Sequence, residues 1–425
     1  MVPSTDLSAA TTATAQPQEV TDAAARFEAR DYDGALKLLK EAAKKNPDYP
    51  PGQVLMAQFF GQVNMSGAAR NALEQAVIEE PADPEAYWII SNLALRERRA
   101  TEAELVLQKA SSLLPGVKSV KRKNILQAGV LSGLAQVAEL RENWPEAKKQ
   151  LEASLKVEPT NVGALQRLAN CLVHQKDAAG ALQELKKAEK AEKGDQPSLT
   201  SEAILARLCE QVGDHDSAKK YMAAALKEAP KDFRTRMAAA QWAFEVGQLD
   251  DAAVQADAAT KLDDKSLDAK VLRGLIALFQ KEYETAERCL KEAHLLAPDN
   301  LSVANNLALA LVEQPDKTKK NQARGFAENN ARQYPNDPDV ASTYGWVLFK
   351  LGQTEDAERV LRSVASSSVA NRAPLKSDTA YYLAVVDVER NRETEAKSLL
   401  DGALKATGPF AMRREAKALL ERLKK

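Results

Sequence analysis

The chain has 425 residues with 59 Lys and Arg against 60 Asp and Glu, a net charge of 59 − 60 = −1, which gives no general basic field for nucleic acid. No low-complexity charged tail occurs, and no apolar run approaches the roughly 20 residues of a membrane span. At ~150 residues per domain this length predicts about three globular domains, but the pattern that follows predicts one repeating stack.

Residues 1–18 are Ser, Thr, Ala, Pro and Gln with almost no charge or large apolar side chain, and are predicted to be disordered. They lack the basic start and apolar centre of a secretory signal. A cytoplasmic location is therefore expected, while a removed export signal would leave the same sequence.

From residue 19 to 408 helices are predicted in pairs. The second helix of the first pair carries Ala35, Leu39 and Ala42, spaced four and seven from the start and so on one helical face. Its leading alanine recurs as Ala69, Ala103, Ala147, Ala181, Ala218, Ala252, Ala286, Ala323, Ala357 and Ala396. Six of the ten steps are 34 residues, and the others are 44, 37, 37 and 39, so eleven units share one register with four insertions. The middle position is Leu in eight units and Met222, Ala256 or Ala327 in the rest. The third is Ala except for Ser154, Asn330 and Val364.

Upstream of each such helix lies another with its own small residue: Ala23, Ala57, Ser91, Ala135, Ala169, Ala206, Ala240, Gly274, Ala308, Gly345 and Ala384. Small residues repeated on one face bring helices close, and a larger side chain there would overpack the seam at about 1 to 3 kcal/mol. The turns within pairs, such as DYDG, GQLDD and LGQTED, carry Gly and Asp, which favour leaving one helix and capping the next. Prolines such as Pro47, Pro81, Pro159, Pro298 and Pro335 close units. Asp83-Pro84 and Asp337-Pro338 read as an N-cap followed by proline at the first helical position.

The longest insertion, before the fourth unit, holds Lys118, Lys121, Arg122 and Lys123. Such a run can hold phosphate or an acidic partner, but its spacing also fits the exposed start of a lengthened helix, the net charge gives it no wider basic field to join, and charge runs are usually solvated. Cys171, Cys209 and Cys289 fall inside repeat helices and are expected to be packing residues. His174, His215 and His294 fall in different units without metal-ligand spacing, and Asp214-His215-Asp216 occupies a turn where polar residues are usual. No phosphate loop, nucleophile elbow or HExxH stretch occurs. No catalytic residue, cofactor site or metal site is predicted. The chain closes at 409–425 on an amphipathic segment with Ala416, Leu419, Leu420 and Leu423 on one face, which suits a cap on the exposed end of a stack.

Paired helices, a 34-residue period, small residues at helix contacts and a closing proline resemble the tetratricopeptide repeat family over about residues 19 to 408. The resemblance implies an all-α, right-handed superhelical solenoid of about eleven antiparallel pairs whose first helices line a concave groove. It implies inward-facing residues two and three before each small residue and one and four after it. In the middle units these include Arg167, Asn170, Arg207 and Arg234. Later they include Leu272, Leu275, Asn305, Asn306, Trp346, Tyr381 and Tyr382, some of which would instead be core if they stack on the next unit. Arg167 and Asn170 resemble part of the family's clamp for a terminal carboxylate, but Ile204 and Ala238 stand where it would continue.

The function these features imply is non-catalytic binding of a protein or peptide segment, in assembly of a larger complex. The arginines point to an acidic segment and the later units to an apolar anchor. The alternative is a structural protein that self-associates through its apolar groove, and an enzyme is the remote third. The sequence leaves the partner and the oligomeric state open.

Overall fold

A computed structural model describes residues 17–192, 199–406 and 408–424. The expected disordered tail lies outside them except for Pro17 and Gln18, and Gln18 already begins the first helix. Among the described residues the fold is all-α, with no strand. The chain divides into two compact units, one up to Lys219 and the other from Lys220.

Unit 1 holds α1 (Gln18–Glu28), α2 (Tyr32–Lys45), α3 (Gly52–Gln62), α4 (Ser66–Glu79), α5 (Pro84–Arg96) and α6 (Ala100–Leu113). They are followed by the long α7 (Val120–Leu140), α8 (Trp144–Val157), α9 (Val162–His174), α10 (Ala178–Ala191) and α11 (Ser201–Gln211). The division falls inside α12 (His215–Glu228). Unit 2 continues with α13 (Phe233–Glu245), α14 (Leu249–Leu262), α15 (Leu267–Gln280), α16 (Tyr283–Leu296), α17 (Leu301–Val312) and α18 (Lys317–Gln333). It ends with α19 (Pro338–Lys350), α20 (Thr354–Ala370), α21 (Ser377–Glu389), α22 (Glu393–Lys405) and α23 (Arg413–Leu423). Within each unit a second helix packs back along its first, and each pair packs on the next. First helices of successive pairs also touch, as α17 does α19 and α19 does α21.

The repeated positions explain this packing. Every upstream small residue is buried, and so are all three positions of every second helix except Ala69, which is half-buried beside the buried Ala72. The substitutions at the third position have different outcomes. Ser154 donates its hydroxyl to the Ala128 carbonyl at 3.1 Å, whereas the Asn330 Nδ2 is buried without a partner. The cysteines are buried and unpaired, and burial pushes the Cys171 and Cys209 thiols up to about 11.

The turns use a left-handed residue just past the first helix, but glycine fills it only as Gly213, Gly247 and Gly352. Elsewhere Arg30, Asn64, Arg98, Glu142, Lys176, Lys281 and Asn391 adopt positive φ. The gain that offsets this strain is visible after α9. The Lys176 and Asp177 amides bond the Val173 and Leu172 carbonyls, both at 2.9 Å, and satisfy the helix end. Asp177 then caps α10 by accepting from the Gly180 amide at 2.8 Å. Asp83 and Asp337 cap α5 and α19 ahead of their prolines, as their sequence predicts.

Candidate binding cleft

In unit 2 the first helices α15, α17, α19 and α21 lie side by side, and a cleft of about 340 Å³ opens on them. The N-termini of α15, α17 and α19 are fixed by Ser266, Asn300 and Asp337, whose side chains accept backbone amides. Gly274, Ala308, Gly345 and Ala384 turn one face of each helix into the pair. The neighbouring face supplies the cleft. Its residues recur at fixed offsets from the small residue: Leu275, Leu309 and Trp346 one after it, Asn306, Thr343 and Tyr382 two before it, and Asn305 and Ser342 three before it. Ser302, Asp339 and Asp378 extend the same row at six before.

Polar bonds hold the helices in line. Asn305 Nδ2 donates to Thr343 Oγ1 at 2.8 Å, the hydroxyls of Ser342 and Thr379 bond, and Lys376 reaches Asp339 at 2.6 Å. Asn306 instead donates to the Ser302 carbonyl at 2.8 Å within its own helix. The floor is aromatic. Trp346 stacks on Tyr382 with centroids 4.4 Å apart and planes 15° apart, and its indole N–H donates to Glu313 at 2.7 Å. Lys350 bonds the other oxygen of Glu313 at 2.8 Å and lies over the Trp346 ring. Burial holds the Tyr382 phenol well above its ordinary value, and burial with Glu313 nearby pushes Tyr283 up to about 12. Burial, and then the charge of Asp339, raises the Asp378 carboxyl to about 6, against the pull of Lys376.

Of the eleven residues named for the groove, five line this cleft: Leu275, Asn305, Asn306, Trp346 and Tyr382. Trp346 and Tyr382 are nevertheless buried, at 5% exposure each, and belong to the core cluster of unit 2. Leu272 and Tyr381 do not line it, and Tyr381 is buried near Phe410. The half-buried apolar lining is Leu275, Phe279, Leu301, Leu309 and, from the segment before α23, Met412. Of these the repeat pattern predicts only Leu275 and Leu309. Asp339 and Asp378 lie one turn before the positions that the register implies, and Asp337, expected only as an N-cap, also lines the cleft.

None of the arginines lines this cleft. In unit 1 Arg167 grips Glu139 through Nε at 3.0 Å and Nη2 at 3.1 Å, and it also bonds Ser132 Oγ and carbonyl. That guanidinium ties α7 to α9, with Asn170 half-buried nearby in sequence. Arg207 and Arg234 are exposed, and Arg234 has an interaction of its own within the chain. The basic run is likewise divided: Arg122 turns inward to Asp83 at 2.7 Å and Glu85 at 2.9 Å, linking α7 to α5, while Lys118 and Lys121 are exposed. The expectation of an acidic partner rested on these side chains, and Arg167 already has its carboxylate. His174 stacks on Trp144 at 3.6 Å, His215 bonds Glu210 at 2.7 Å and His294 meets the Phe326 ring edge-on. Among the described residues no three His, Cys, Asp or Glu gather as a metal site.

Tetratricopeptide repeat family models match residues 63–116, 139–208 and 203–232. The chain carries tetratricopeptide repeats. Among solved structures, a tetratricopeptide repeat protein from Parabacteroides merdae is 14% identical with a TM-score of 0.49, over 62% of this chain and 99% of that one. Yeast Tom70 is 14% identical with a TM-score of 0.38, over 96% of this chain and 95% of its own. YrrB, described as a TPR protein with an unusual peptide-binding site, is 18% identical with a TM-score of 0.30, over 48% of this chain and 98% of that one. A search of curated proteins returned no match. The likeness to the family lies in the repeats matched in sequence, over residues 63–116 and 139–232.

Proposed function

We propose that this tetratricopeptide repeat protein is a non-catalytic interaction scaffold whose cleft in unit 2 holds an extended segment of another protein. The observation that carries the reading is the lining itself. Half-buried Leu275, Phe279, Leu301, Leu309 and Met412 stand beside the polar side chains of Ser302, Asn305 and Asn306, so apolar anchors and polar groups converge in one place. Burying those side chains contributes about 25 cal/mol per Å² before association costs. Among the described residues no helix is long and apolar enough to cross a membrane, which is compatible with a scaffold that meets its partner in water.

Peptides selected from a displayed random library against the whole protein test this reading. Leu309→Asp should weaken the selected peptides at least about tenfold, because it places an unpaired charge among apolar groups. Unchanged affinity, with helicity intact by circular dichroism, would remove the cleft as the site. Concentration-dependent dimers abolished by Leu309→Asp would instead assign the cleft to a second copy of this chain.

A further inference from the structure

We infer that the cleft of unit 2 takes a positively charged segment, with lysine or arginine placed beside an apolar anchor. This rests on the docking role proposed above and adds the sign of the partner's charge. The lining holds four carboxylates, Glu313, Asp337, Asp339 and Asp378, against one ammonium, Lys376, and Lys350 beside it pairs with Glu313, so the formal charge is 2 − 4 = −2.

Three of the four already have partners. Glu313 is shared by Trp346 and Lys350, Asp337 caps α19 by accepting the amides of Asp339 and Val340, and Asp339 holds Lys376. Asp378 is different. Among the described residues it makes no hydrogen bond or ion pair, although it is half-buried beside the charges of both Asp339 and Lys376. Removing a carboxylate from water without a partner opposes folding, so the arrangement is one that a cationic ligand would relieve.

The position supports the same sign. Asp339 and Asp378 occupy the same register on adjacent helices, six before Gly345 and Ala384, at the end of the row that continues through Thr343 and Tyr382 to Trp346. A side chain anchored among Leu275, Leu301 and Leu309 would leave a neighbouring lysine or arginine within reach of this carboxylate end. An acidic segment there would meet like charge, which sets specificity against it.

Two short peptides with the same leucine and phenylalanine positions test the inference, one carrying lysine and arginine between them and the other glutamate. Fluorescence anisotropy with the whole protein should show the basic peptide binding on the order of ten times more tightly, with a preference that shrinks as salt rises. Asp378→Asn and Asp339→Asn, which keep shape and remove charge, should each reduce that preference several-fold. Equal binding of the two peptides, tighter binding of the glutamate peptide, or no effect of either Asn substitution would overturn the charge assignment. If Leu309→Asp still abolishes binding in those cases, the cleft stands without its charge preference. Should Leu309→Asp leave both peptides unaffected, the docking role itself falls, and the inference with it.

Discussion

Asp378 stands in the first turn of α21, where the helix N-terminus favours negative charge, yet its carboxyl is raised from 3.8 to about 6. Burial and Asp339 outweigh the dipole and Lys376. The consequence for stability has a definite sign. Between about pH 4 and 6 the folded protein holds this proton and the unfolded chain has lost it, so stability falls as pH rises through that window. Above pH 6 the full penalty remains. Asp378→Asn should therefore stabilise the fold near pH 7 by roughly 1 kcal/mol, less than the shift alone implies because water still reaches the side chain, and by little near pH 4. Urea unfolding at the two pH values measures the difference. Equal effects at both would show that Asp378 is solvated as an ordinary carboxylate. A group that destabilises the free protein and strengthens basic-peptide binding is the trade expected of a binding residue.

At the scale of the helix pair, the contact between Gly345 and Leu361 shows why the first-helix residue is small. A methyl added at Gly345 would lie 2.6 Å from Leu361 Cγ and 2.9 Å from its Cδ2, and Gly274 meets Leu290 at the same distances. Alanine is the better helix former by about 1 kcal/mol. Overpacking of about 1 to 3 kcal/mol opposes that gain. Gly345→Ala is expected to lose on balance, with a net destabilisation of about 1 kcal/mol in urea unfolding. A stabilised variant would mean that Leu361 moves aside freely.

The same contact explains what the sequence makes legible. The comb of alanine and leucine is readable because every pair must bury the same positions, and only Ala69 departs from it. Turn positions are harder to read, since seven left-handed residues are not glycine and are favoured by the helix-end bonds they permit. The row from Asn305 to Tyr382 follows from the register. What Trp346 or Arg167 does there depends on Glu313, Tyr382 and Glu139, which come from other helices at separations the repeat does not encode.

At the scale of the whole chain, unit 2 ends on α23, which packs on α22. It buries Ala416, Leu420 and Leu423, and Phe410 before it lies near Tyr381 with Arg413 over its ring. The cap also reaches beyond the last pair. Glu415 pairs with Lys281 at the end of α15, and Met412 lines the cleft, so the C-terminal segment contributes to the proposed site as well as packing on the last pair. These two contributions separate experimentally. Leu420→Asp should expose the end of unit 2, lowering its melting temperature and its hydrogen-exchange protection from α19 to α22. Protection in α1 to α6 should stay unchanged, because repeats depend chiefly on their neighbours. Met412→Ser should leave the melt nearly intact and weaken a bound basic peptide several-fold. Loss of protection throughout the chain with Leu420→Asp would mean that the stack unfolds as one cooperative body. A Met412→Ser variant that melts early but binds normally would place Met412 in the cap and outside the site.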